Sequence, residues 1–243
     1  MEIELKLALH PDHKARIQHH PLLGKTKPQQ QNLLSIYFDT PTHDLLQRRI
    51  ALRIRRTDDR WIQTLKAETR SIGALTSRPE WEVTVARGDF PDFAALPPDA
   101  LDLLIGIDCE QIASIFTTEF ERTTWLIGNQ QTQAEVALDH GKIRTQEADR
   151  DICEIEIELK SGKPIFLFDL ATQLLARAPL HVEPRSKAER GYLLSGAIQA
   201  TPTRAVYPEI ERRQPADEAW HAITQAALVQ LTANIPGFLE HAH

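Results

Sequence analysis

Cysteine is nearly absent from this chain of 243 residues. Cys109 and Cys153 are too few for a disulfide scaffold or a thiolate zinc site, and Cys153 falls on the aliphatic face of a predicted strand, so both are expected to be reduced and structural. No uninterrupted apolar stretch approaches the roughly 20 residues that a membrane-spanning helix needs. No basic leader followed by an apolar run precedes the first strand, so a cytoplasmic location without a membrane partner is expected. Basic residues are not in excess: 28 Lys and Arg against 34 Asp and Glu leave a net charge of -6, which argues against a general nucleic-acid partner. A local cluster of arginines can still attract an anion. His10, His13, His19 and His20 lie on a predicted helix without a carboxylate at ligand spacing and read as surface residues. Against these shortages, 42% hydrophobic residues is enough for a buried core.

What the chain has in quantity is alternation. In Glu2-Ile3-Glu4-Leu5-Lys6-Leu7 the charged and aliphatic side chains alternate, so a strand would carry Glu2, Glu4 and Lys6 on one face and the aliphatics on the other. Glu154-Ile155-Glu156-Ile157-Glu158-Leu159-Lys160 repeats the pattern, and Ile50 to Thr57 repeats it with Arg53 and Arg55 opposite Leu52 and Ile54. Trp61 to Glu68 places Ile62, Thr64 and Lys66 together, and Glu80 to Val85 sets Glu80 and Glu82 against Trp81, Val83 and Val85. Further strands are predicted over Leu33 to Asp39, Ile115 to Ile127 with Arg122 and Trp125, Ala134 to Leu138, Lys142 to Gln146 and Leu180 to Glu183. Turns are expected at Asp58-Asp59, Gly128-Asn129 and His140-Gly141, and a loop centred on Gly73. Helices are predicted from Pro11 to Leu23, within Phe90 to Ile105, from Pro164 to about Ala178 and from Ser186 to about Ile198. Residues 201–215 read as a proline-containing linker, and an amphipathic helix begins at Ala216 and stops near Asn234-Ile235-Pro236-Gly237.

About eight mostly antiparallel strands suit an α+β fold in which the sheet closes into an eight-stranded barrel with flanking helices. The helices have apolar stripes that need an apolar surface to pack on, so the aliphatic faces belong outside and the charged faces inside. The opposite arrangement would give a greasy interior, as in a lipid carrier. A lumen of unpaired ions costs several kcal/mol of lost hydration for each ion, so the charged set implies a ligand, a network of salt bridges, or both. Arg and Lys suit phosphate oxygens, and carboxylates without Cys or His suit hard cations such as Mg²⁺ or Mn²⁺. A metal polyphosphate is the implied ligand.

The ordered set resembles the CYTH superfamily of triphosphate tunnel metalloenzymes. The resemblance rests on Glu2-x-Glu4-x-Lys6, Tyr37-Phe38-Asp39-Thr40, Arg53-x-Arg55, Lys66, Glu80-x-Glu82, Asp139 with Gly141, Glu154 to Lys160, and Ser186-Lys187 with Arg190-Gly191-Tyr192, and it covers about residues 1–200. It implies an eight-stranded tunnel and a divalent-metal-dependent enzyme acting on triphosphates. Lys6, Arg53, Arg55, Lys66, Arg122 and Lys187, with Arg190, would hold the substrate. Glu2 and Glu4 would hold one Mg²⁺ or Mn²⁺ ion, and Asp139, Glu156 and Glu158 a second. Glu4, Glu156, Glu158 and Lys66 would be catalytic. The helix from Ala216 is similar to the start of a CHAD domain, so residues 216–243 are expected to open such a domain, cut short at His243. That pairing favours inorganic triphosphatase over thiamine triphosphatase, nucleoside triphosphatase, class IV adenylate cyclase or a non-catalytic polyphosphate-binding module. A thiamine triphosphatase would use Trp61 or Trp81 as an aromatic platform. Because Glu2 directly follows Met1, an N-terminal fusion is expected to perturb activity more than a C-terminal one.

Overall fold

The computed structural model describes residues 3–57, 60–67, 70–72, 75–77 and 79–240. Glu2, the Asp58-Asp59 turn and Gly73 lie outside the described residues. The strands are β1 (Glu4–Ala8), β2 (Gln29–Asp39), β3 (Ile50–Thr57), β4 (Arg60–Ala67), β5 (Arg70–Ile72), β6 (Leu75–Ser77), β7 (Glu80–Val85), β8 (Ala113–Gly128), β9 (Gln133–Arg144), β10 (Asp149–Ser161) and β11 (His181–Val182). The helices are α1 (Lys14–Gln18), α2 (Asp44–Gln47), α3 (Pro98–Asp102), α4 (Ile165–Leu175), α5 (Lys187–Leu194) and α6 (Ala216–Glu240). None of the described helices is long and apolar enough to cross a membrane.

All the strands join one antiparallel sheet in the order β5-β6-β1-β10-β9-β8-β2-β3-β4-β7, with β11 beside β1. The expected closed barrel is not formed. The edge of β1 away from β10 is shared between β6, at Glu4 and Leu5, and β11, at Leu7 and Ala8. At the other end of the order β7 pairs only with β4, so among the described residues no ladder joins the two ends. The sheet is a curled layer with two edges.

Its outer face is aliphatic where helices cover it. Leu5, Leu7, Val136, Leu138, Ile155 and Ile157 pack with Ile17 of α1 and with Leu167, Leu170 and Leu174 of α4. Leu52, Ile54, Leu65 and Val85 pack with Leu45 of α2 and Ala100 of α3. Burying the period-two aliphatics therefore leaves the charged positions on the concave side, because successive strand residues point to opposite faces.

Several local expectations are corrected. His140-Gly141 is not a turn: β9 runs through it, opposite Glu121 and Phe120 of β8. A Cβ at position 141 would collide with Phe120 and the Glu119 carbonyl, so glycine serves a close strand approach. The helix expected from Pro11 to Leu23 is broken into α1 between two 3₁₀ turns, since Pro21 disfavours helical geometry in the residue before it. His20 is buried rather than on the surface, its Nε2 lying 3.2 Å from the Gln173 carbonyl. Finally, α6 continues through Pro236 to Glu240.

Candidate active site

Strand register brings the charged positions into rows. Glu4 of β1 lies opposite Glu158 of β10, Lys6 opposite Glu156, and Ala8 opposite Glu154. Glu154 in turn lies opposite Asp139 of β9, which lies opposite Arg122 of β8. Across the curl Tyr37 of β2 faces Arg53 of β3, Arg53 faces Thr64 of β4, and Lys66 faces Glu80 of β7. The two halves meet around a cavity of about 600 Å³ lined by Glu4, Lys6, Tyr37, Ala51, Arg53, Arg55, Lys66, Glu80, Glu82, Arg122, Glu156, Glu158, Ser186, Lys187 and Ala188.

Part of the cavity wall is formed by the start of α5, and three sequence features place it there. Ser186 caps the helix, its Oγ accepting from the Glu189 amide at 3.0 Å. Gly191 has no side chain and so lets α5 rest on Phe116, into whose ring a Cβ would run. Tyr192 reaches the buried Asp39. Lys187 and Arg190 are thereby driven under the sheet's charged face.

There they meet the acids. The Lys187 ammonium lies 2.6 Å from Asp139 and 2.9 Å from Glu156, and it also pairs with Glu154. Arg122 donates from Nε and a terminal nitrogen to the two oxygens of Asp139, both at 2.7 Å, and pairs with Glu156. Arg190 pairs with Glu154 beneath the cavity. Burial alone would raise the Glu156 carboxyl, but Lys187 and Arg122 hold it well below the usual range. Glu154 is likewise lowered, because Arg190 and Lys187 outweigh its burial.

The opposite wall is basic and less evenly balanced. Lys66 bonds Glu80 at 2.6 Å, and Arg53 lies 3.7 Å from Glu80 and 3.8 Å from Glu82. Arg55 bonds only the Ser35 hydroxyl, at 3.0 Å, and among the described residues no carboxylate pairs with it. Burial and the neighbouring charges of Arg53 and Arg122 pull its guanidinium down to about 9. Burial would raise the Tyr37 phenol, yet Arg53, Arg55 and Lys187 hold it below its ordinary value. Such a wall has an electrostatic deficit that an anion relieves.

Of the residues singled out from sequence, Glu4, Lys6, Arg53, Arg55, Lys66, Arg122, Glu156, Glu158 and Lys187 border the one cavity. Asp139 and Arg190 do not: Asp139 is fully buried behind Arg122, and Arg190 lies beneath Glu154. Tyr37, to which the sequence assigns no binding role, also lines the cavity. Its period-two relation to Ser35 on β2, the strand next to Arg53 and Arg55, is the signal that points to it. Glu154 carried no assigned role, although its place in the acid row was already visible.

The donor set fits a hard divalent cation, since it offers carboxylate oxygens and neither thiolate nor imidazole. Asp139, Glu154 and Glu156 each present an oxygen within 4.8 Å of the others and could hold an ion. In this structure the Lys187 ammonium stands among them. Glu4 and Glu158, paired in register, add carboxylates at the cavity wall.

Residues 1–192 match the CYTH domain family. An inorganic triphosphatase of Haemophilus influenzae is 38% identical over 195 residues, covering 79% of this chain and 54% of that protein, so the chain spans about half the length of the curated relative it matches. A structure of the Hippeastrum protein HpAC1, described as an adenylyl cyclase with a dominant triphosphatase activity, superposes with a TM-score of 0.54 at 19% identity over 81% of this chain and 96% of its own. A Bacillus halodurans protein described as an adenylate cyclase gives a TM-score of 0.53 at 22% identity, covering 78% and 96%. At such identities the superpositions speak to the fold alone.

Proposed function

The chain belongs to the CYTH family, and on that premise we propose that it hydrolyses inorganic triphosphate to pyrophosphate and phosphate in the cavity bounded by β1, β3, β7 and α5. The observation that carries this reading is the lining, where Lys6, Arg53, Arg55, Lys66, Arg122 and Lys187 converge with Glu4, Glu80, Glu82, Glu156 and Glu158 on one space. The Haemophilus influenzae relative, named as an inorganic triphosphatase, supports it.

The basic residues bind and orient the polyphosphate, dividing its negative charge among several guanidinium and ammonium groups and holding a terminal phosphorus in place. Glu4, Glu156 and Glu158 would hold the divalent cation, Mg²⁺ or Mn²⁺. Bound there, such a cation would supply charge neutralisation of phosphate oxygens and acidification of a water. Glu156, held well below its ordinary value by Lys187 and Arg122 against its burial, stays ionised at the cavity wall, while Lys66 and Arg53, already paired with Glu80, keep the basic wall fixed. Asp139, Glu154 and Arg190 act from beneath by positioning Arg122 and Lys187. In the net reaction an oxygen of water bonds the terminal phosphorus as the bridging P–O bond breaks, a proton of that water is released to solvent, and the departing pyrophosphate remains on the basic wall.

The lining favours an inorganic over an organic triphosphate. Trp61 and Trp81 pack on the outer, helix-covered side, and Trp81 Nε1 donates to Asp99 at 2.8 Å. Among the described residues Tyr37 is the one aromatic of the lining, and its ring is stacked on Phe116 with centroids 4.6 Å apart. No open aromatic face among the described lining residues offers a platform for a nucleobase or a thiazolium.

Phosphate release from tripolyphosphate, ATP and thiamine triphosphate, each with Mg²⁺, Mn²⁺ and Ca²⁺, tests the reading. Turnover of tripolyphosphate at least tenfold above the others is expected. Preference for ATP or thiamine triphosphate moves the assignment to those activities. Tight tripolyphosphate binding without hydrolysis makes the protein a binding module.

A further inference from the structure

Phe120 has no charge and does not border the cavity, yet three of the cations proposed to bind substrate gather on it. Lys187 Nζ lies 4.9 Å from the ring centroid, Arg122 Cζ 5.7 Å and Arg55 Cζ 5.9 Å. They come from three elements, α5, β8 and β3, and the ring is 3% exposed. At such distances the negative quadrupole of the ring face attracts a cation, more strongly where water is excluded. Arg122 and Lys187 also have carboxylate partners, but Arg55 has only Ser35 and, among the described residues, no acid. Like charges on Arg53 and Arg122 push against it.

We propose that Phe120 is a positioning residue, a shared aromatic platform that holds Arg55, Arg122 and Lys187 in place for the polyphosphate without neutralising them. The distinction from a carboxylate is chemical. An acid at this position would pair with the cations and repel the incoming phosphates, whereas a ring orders all three and leaves Arg55, which has no carboxylate partner among the described residues, with its full charge for the ligand. Gly141, directly opposite Phe120, completes the device, because a side chain there would strike the Phe120 backbone and displace the strand. The inference rests on the triphosphatase reading for the identity of the anion, and on the ring geometry for everything else.

Phe120 also belongs to a core cluster with Leu33, Tyr37, Phe116 and Tyr192, so a deletion would confuse packing with electrostatics. The test is therefore to replace Phe120 with mono-, di- and trifluorophenylalanine, which drain the ring quadrupole at nearly constant shape. The expected result is a stepwise rise in KM for tripolyphosphate, about tenfold in total, with kcat within about threefold and a melting temperature lowered by no more than about 4 °C. Phe120→Tyr, which keeps the ring face, should stay within about threefold of the parent. A KM that ignores the fluorine count overturns the proposal. Calorimetric binding of tripolyphosphate with chelator present separates the two readings. If the parent protein binds but does not hydrolyse, the triphosphatase assignment fails, while a Kd that climbs with fluorination still supports the platform and a flat one still ends it.

Discussion

Tyr192 Oη donates a 2.8 Å hydrogen bond to Asp39 Oδ2, and this buried contact fastens the helix carrying Lys187 to the end of β2. Asp39 is fully engaged: it also accepts from the amides of Thr40 and Leu45 at 2.8 Å each and of Leu46 at 3.0 Å. Burial and the nearby Asp39 charge raise the Tyr192 phenol, so it remains a donor throughout the usable pH range. Tyr192→Phe removes one bond and should cost about 1 kcal/mol, with a several-fold rise in KM as α5 loosens. Asp39→Ala orphans three amides and a phenol, and should cost about 3 kcal/mol or more. Thermal denaturation of both variants checks the order, and equal losses would contradict it.

The acid cluster beneath the cavity predicts a pH limb. In the folded protein Glu154 and Glu156 are held below their ordinary values, so their contribution to stability is complete above the unfolded value of about 4.3. It is lost as the pH falls through the lower folded values. Each proton taken up on unfolding adds about 1.4 kcal/mol per pH unit. The melting temperature should be flat near neutrality and fall steeply below about pH 4.5. Glu154→Gln should lower it at pH 7, by leaving Lys187 and Arg190 short of a partner, and should make the acid limb shallower. Melting curves from pH 3 to 8 decide this.

Much of this arrangement is legible in the sequence because it is local. Period-two alternation decides which side chains share a face, so Glu4 with Lys6, Arg53 with Arg55, and Glu154 through Glu158 could be grouped without knowing their neighbours. The helices' apolar stripes then decide which face is concave. What is not legible depends on contacts distant in the chain. Nothing in Glu4–Ala8 tells that β6 and β11 divide its free edge and leave the sheet open. His140-Gly141 has the composition of a turn, and only the approach of Phe120 shows that the glycine serves a strand. Tyr37 and Phe120 look like core residues because their aromatic character masks the fact that cations surround them.

Glu4 and Glu158 face each other across β1 and β10, and Glu158 bonds Lys160 at 2.6 Å. If the pair holds the divalent cation, Glu4→Gln and Glu158→Gln should each lower Mg²⁺- or Mn²⁺-supported tripolyphosphate hydrolysis about a hundredfold or more. The substitution preserves shape and removes only charge, so the melting temperature should move little. Calorimetric Mn²⁺ titration of the same variants should show weakened binding. Unchanged turnover with both glutamines in place would remove the pair from the metal site.

Arg55 gives the sharpest prediction, because stability and function should move in opposite directions. Its guanidinium is buried beside Arg53 and Arg122, and its ordinary value is pulled down to about 9. A group so shifted is charged at neutral pH in both the folded and unfolded chain, but the charge is less favourable in the folded one. Folding therefore carries a penalty below about pH 9, and the penalty shrinks as the pH rises through that value. Arg55→Met keeps the stem and removes the charge, so the unliganded variant should gain about 1 kcal/mol, a rise of roughly 2–4 °C in Tm. Tripolyphosphate relieves the same penalty in the parent protein by supplying the missing negative charge, so it should raise the parent's Tm even with chelator present. The variant should show a much smaller ligand-induced shift and a KM raised about tenfold or more. A variant that is both less stable and equally responsive to tripolyphosphate would mean that Arg55 is a structural residue.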